Sequence, residues 1–149
     1  MKSSFHRSLR ASTLLAINFL YLSIWGFAAI DKLLSGVPSW FDGKFGQTFL
    51  ASVPGLTATF WMLAGSELLA FALAVLALVS AEFLEGKRMK YLPATLVWSL
   101  LVFVQLGFGQ WLTKEFNGAF QQFMYFSGTL LALDCVLRPA TAPSSGKVS

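Results

Sequence analysis

One cysteine, Cys135, and one histidine, His6, are all that this chain of 149 residues offers to thiol and imidazole chemistry. A single thiol excludes an internal disulfide and a Cys-x-x-Cys redox pair. A single histidine excludes a haem held between two imidazoles of this chain, and no Cys/His cluster has the spacing of a metal site. Charge is equally scarce. Only 12% of the residues are charged, against roughly 25% in soluble domains, while 56% are hydrophobic and the mean hydropathy is +0.65. The basic residues are scattered over the flanks of apolar runs and form no stripe, which argues against a nucleic-acid partner.

What is present is hydrophobic length. Four stretches approach the ~20 residues that cross about 30 Å of hydrocarbon as helix: 14–34, 57–79, 93–112 and 116–137. They predict an all-α integral membrane protein, a single antiparallel four-helix domain over 1–149. The first run is too long for the apolar core of a signal peptide, so it reads as a membrane helix. Lys2, Arg7 and Arg10 precede it, Lys87, Arg88 and Lys90 follow the second, and Arg138 and Lys147 follow the fourth. The other two connections hold only Lys32, Lys44 and Lys114, so the positive-inside rule puts both termini in the cytoplasm.

Between the first two helices, 35–55 carries Trp40, Phe41, Phe45 and Phe49 between Gly and Pro residues. Such a segment anchors at the headgroup level or covers a pocket at the mouth of the helices, with a short helix of its own. The connection around Glu82 and Glu85 reads as a cytoplasmic turn ahead of Pro93, and 139–149 as a flexible polar tail.

The unexpected residue is Glu67, inside the second apolar run. A carboxylate at the bilayer centre costs about 3 kcal/mol on insertion scales, so it requires a partner or a role. Helical spacing sets Glu67, Ala70, Ala74, Ala77 and Ala81 on one stripe of small residues, the kind that faces a neighbouring helix. Counting from Gly86 puts Gln105 at the height of Glu67, and the same counting pairs Gln110 with Gln121 across the next turn. Asp31 and Lys32, at the end of the first helix, complete an outward-opening polar layer, and Lys32 can bend its ammonium toward water or toward that layer. Asn18 and Asp134 form an inner polar pair, with Arg138 one turn beyond Asp134 as its salt-bridge partner. Glu67 either fixes helix register or serves as a proton carrier or a ligand for a polar headgroup such as a quinone carbonyl. Cys135 reads as a small packing residue.

The stretches GFAAIDKLLSG, FDGKF, FLASVPG and LAGSELLAFALAVLAL together resemble the DoxX-like family of small four-helix bacterial membrane proteins, most closely over residues 14–80. Lys32 follows Gly26 at the end of the first helix, and Glu67 stands at the family's membrane glutamate. The resemblance implies a bacterial inner-membrane subunit of a quinone-linked redox complex, with no redox cofactor of its own. It sits among lipids and other membrane subunits, with Glu67, Gln105 and Lys32 bordering a small-molecule site. An architectural subunit of a respiratory or photosynthetic complex, contacting partner helices, pigments or lipids, is the alternative.

Overall fold

A computed structural model describes residues 2–84 and 86–138, with side chains from Phe5 onward. The expectations for Glu85 and for 139–149 fall outside it. Five α-helices appear in chain order: α1 (Lys2–Ser35), α2 (Ser39–Phe45), α3 (Leu56–Val79), α4 (Tyr91–Leu112) and α5 (Phe116–Leu137), with a single 3₁₀ turn at Phe49–Ala51. No strand occurs among the described residues. Part of α1, from Phe5 to Ser35, together with α3 and α4, is long and apolar enough to cross a membrane. Helix α5 has the expected bounds and 22 residues, yet it is not among these three. Asn117, Gln121, Gln122 and Asp134 dilute its apolar character.

Helix α1 starts well before the expected boundary at residue 14. Hydropathy locates only the stretch that lipid covers, whereas the polar first turns meet no Pro or Gly that would end a helix. At its other end Gly36 takes φ +65, a left-handed stop for which glycine has no Cβ penalty.

The start of α4 accounts for every orphan backbone donor. Glu82 is buried, and its carboxylate accepts from the N–H groups of Lys90 (2.8 Å), Tyr91 (2.9 Å) and Leu92 (2.8 Å). The next residue, Pro93, has no N–H to satisfy. A negative group at the positive end of the helix dipole adds to these charge-assisted bonds. Glu82 lies in the turn expected between α3 and α4, and there it is a structural part of the fold.

Helices α1 and α3 pack together, as do α3 with α4 and α4 with α5. On α1 the buried positions Leu14, Asn18, Tyr21, Trp25 and Ala29 recur at steps of three and four. On α3 they are Phe60, Ala64, Glu67, Ala70, Ala74 and Ala77. Ala81, expected to continue that stripe, lies beyond the helix in a turn with φ 52. The contacts run in opposite directions along α1 and α3. With its amide oriented to satisfy both groups, Asn18 donates to the Ala74 carbonyl (3.0 Å) and accepts from Leu78 N–H (3.1 Å). Gly26 lies against Phe71, whose ring would be 2.9 Å from an added Cβ. Lys32 meets Glu67.

Buried polar groups tie α1 to the other two long helices. Trp25 Nε1 donates to Ser99 Oγ of α4 (2.7 Å), and Ser99 passes its own proton to the Thr95 carbonyl (2.7 Å). Tyr21 and Thr129 of α5 are 2.6 Å apart; since Thr129 donates to the Tyr125 carbonyl, the tyrosine hydroxyl is the donor between them.

Candidate binding site

The segment between α1 and α3 lies over one end of the helices and encloses a cavity of about 640 Å³. That volume falls in the range of small-molecule sites. The walls are supplied by the end of α1, by α2, by the first turns of α3 and by the last turns of α4. Phe41 pins the cover down. It is buried, stacks obliquely on Phe45 (4.6 Å between centroids) and meets Phe60 of α3 edge-on (5.5 Å). Phe45 in turn lies against α4 where Gly109 leaves room, 3.6 Å from the place of an added Cβ. Trp40 remains 60% exposed at the rim. Of the two sequence readings of this segment, the cover over a pocket matches these contacts, and the outward Trp40 retains the character of an interfacial anchor.

Lys32 lines the cavity, and Glu67 lies behind it. The glutamate side chain is 1% exposed and the lysine 21%. Lys32 Nζ donates to Glu67 Oε1 at 3.0 Å and approaches Oε2 at 2.8 Å, although no directed hydrogen bond reaches the second oxygen. Both residues continue the packed faces of their helices. Lys32 follows Ala29 by three residues on the buried stripe of α1, and Glu67 stands on that of α3. A buried carboxylate is tolerable when a cation and hydrogen bonding compensate its lost hydration.

The expected partner of Glu67 was Gln105, and this is corrected: the partner is Lys32. Counting from the turn gives height along a helix but not the side on which a residue falls. Gln105 lies off the buried stripe of α4 and is exposed, in the cavity wall. The α4 residue that reaches α3 beside Glu67 is Trp98, whose indole N–H donates to the Ser66 carbonyl (2.9 Å).

The pairing of Gln110 with Gln121 is likewise corrected. Gln110 accepts from Lys44 Nζ (3.3 Å), which also approaches Glu115 at 3.7 Å and lies 5.9 Å from the Phe45 ring centroid. Gln121 is on the outward side of α5. Its neighbour Gln122 is the one that faces α4, with Cβ 3.5 Å from where a Cβ on Gly107 would be, and its Oε1 is buried without a hydrogen-bond partner. Asp31 is exposed and lines the cavity, accepting from Ser35 Oγ at 3.4 Å.

Asn18 and Asp134 do not form a pair. Asn18 turns to the α3 backbone, whereas Asp134 is 55% exposed and binds Arg138 one turn on. That hydrogen bond and the accompanying Coulomb attraction raise the Arg138 pKa above its ordinary value. Cys135 is exposed, contrary to its expected packing role. Among the described residues no group of three or more His, Cys, Asp or Glu side chains is arranged to hold a metal.

Lys44 was missed as a site residue, although its place between Phe41 and Phe45 in FDGKF is legible as a cation within an aromatic cluster. The whole arrangement is an apolar chamber with a few hydrogen-bonding groups: the Lys32 ammonium at its base, Asp31 and Gln105 in its wall, and Lys44 with Gln110 under the cover. It can hold an amphipathic molecule whose head accepts hydrogen bonds. Comparison of the chain with protein-family models, curated proteins and solved structures finds no match.

Proposed function

We propose that this protein is a DoxX-like bacterial inner-membrane protein that crosses the bilayer four times, with α5 as the fourth crossing and both termini cytoplasmic. We further propose that it is a subunit of a redox complex, giving a quinone-type ring access to its partners while carrying no redox cofactor itself. On this topology the cavity opens at the outer leaflet.

The observation that supports the reading is the cavity with Lys32 at its base. An ammonium has three donors, and Glu67 does not consume them all; the part of Lys32 that remains exposed borders the chamber. A carbonyl of a ring ligand would accept from Lys32, with Gln105 and Gln110 offering amide donors along the wall. The aromatic and aliphatic surfaces of Phe41, Phe60 and Leu63 suit the ring and the start of an apolar tail. The chemistry that a bound quinone supplies is two-electron, two-proton exchange; this chain's own contribution is to orient the ring and exclude water.

The test is titration of a short-chain ubiquinone into the protein in lipid nanodiscs, read by quenching of tryptophan fluorescence. Saturable quenching is expected, and Leu63→Phe, which narrows the chamber, should weaken it. Quenching that rises only linearly with quinone, or that ignores Leu63→Phe, overturns the reading.

A second reading, an architectural subunit, is favoured by one feature of α5. Gln121 and Asn117, one turn apart, are exposed together with Phe120, Phe123 and Met124. Amides on the outer surface of a membrane helix suit hydrogen bonding to another helix. Cross-linking from residue 121 in native membranes distinguishes a protein neighbour from lipid.

A further inference from the structure

A lysine at the base of an apolar chamber ordinarily reads as a site for an anionic head, such as a fatty-acid carboxylate. The charges around this chamber argue the opposite. Lys32 and Lys44 are its two lining cations, and each already faces a carboxylate, Glu67 at 2.8 Å and Glu115 at 3.7 Å. Asp31 adds a third carboxylate on the lining. Acidic groups thus outnumber basic ones three to two among the lining residues and their ion-pair partners. The compensation at Lys32 is also the least screened of these, because its counter-ion is 1% exposed whereas Glu115 is 56% exposed. An incoming carboxylate would lose its hydration in an apolar enclosure and would meet an ammonium whose charge is already committed. A neutral acceptor loses far less on entry and still receives a hydrogen bond from the same nitrogen.

We propose that Glu67 is a specificity-determining residue: by neutralising Lys32 from behind, it makes the chamber select neutral, hydrogen-bond-accepting amphiphiles and reject anionic ones of the same shape. Glu67 does not touch the ligand in this scheme. It acts through Lys32, and its effect is discrimination against the wrong ligand. The inference rests on the binding reading above and deepens it.

The experiment compares two probes that differ in charge and by one methyl group, bromine-labelled dodecanoate and its methyl ester. Each is titrated into the protein in nanodiscs of zwitterionic lipid and read by tryptophan quenching that is sensitive to Leu63→Phe. The wild type should bind the ester saturably and require at least about tenfold more carboxylate, equivalent to ~1.4 kcal/mol of discrimination. Glu67→Gln frees the ammonium, and the carboxylate should then gain at least tenfold while the ester changes little. Equal binding of the two probes by the wild type, or tighter binding of the carboxylate, overturns the inference and leaves the binding reading standing. Failure of both probes and of the short-chain ubiquinone to saturate overturns the binding reading and the inference with it. A Glu67→Gln variant that folds and gains no affinity for the carboxylate also overturns the inference; should it fail to fold, the wild-type comparison can still overturn it.

Discussion

Trp25 of α1 and Ser99 of α4 are joined by a 2.7 Å hydrogen bond in a region where both are essentially inaccessible, and Ser99 has no other proton to give, because its own goes to Thr95. Ser99→Ala leaves a buried indole N–H without an acceptor. The expected cost is about 1–3 kcal/mol. Thermal unfolding in detergent should show the loss, and Trp25 emission should shift as its surroundings rearrange.

The ion pair of Lys32 and Glu67 predicts strong non-additivity. Lys32→Met leaves a carboxylate alone among Ala64, Ala70 and the α1 surface, at a cost toward the lower part of the roughly 3–5 kcal/mol seen when a buried pair is broken. Glu67→Leu costs less, since the partly exposed ammonium can turn outward. The double variant should recover most of the loss, and a double-mutant cycle from unfolding in mixed micelles measures the coupling.

How much of this pair was legible in the sequence depends on which direction is asked. The inward orientation of Glu67 follows from the alanine stripe, and that of Lys32 from continuing the period of Leu14, Asn18, Tyr21, Trp25 and Ala29. Their meeting does not, because the segment 36–55 separates α1 from α3 and hides the register that a short turn would reveal. Across a turn, residue position gives height without azimuth. Gln105 and Gln121 accordingly lie at the edge of, or opposite, the packed face. The aromatic cover was visible as composition, but the volume beneath it arises only when four segments converge.

Glu82 yields a local prediction. Glu82→Ala removes acceptors from three backbone donors at once and should destabilise by about 2 kcal/mol or more, larger than an ordinary N-cap loss. Glu82→Gln keeps one acceptor oxygen and should recover part of it. Amide hydrogen exchange at Lys90, Tyr91 and Leu92 should accelerate selectively in the alanine variant, ahead of any global change.

Two glycines make a matched pair. A Cβ at Gly26 would lie 2.9 Å from the Phe71 ring, whereas one at Gly65 would meet open space. Gly26→Ala should push the Phe71 ring aside, at a cost of about 1–3 kcal/mol. Gly65→Ala, in the interior of α3, should be neutral or stabilise by up to ~1 kcal/mol. Midpoints of unfolding for the two variants should move in opposite directions or differ by at least the larger amount.

Helix α1 has 34 residues, and at a rise of ~1.5 Å each it is about 51 Å long, well beyond ~30 Å of hydrocarbon. Its far end carries Lys32, and its near end carries Arg7 and Arg10 in the polar turns. Fastened to α3 at three heights, by Asn18, Gly26 and Lys32, the rod has no single pivot, so a displacement of the arginine-bearing turns is shared along the whole seam that ends at the ammonium.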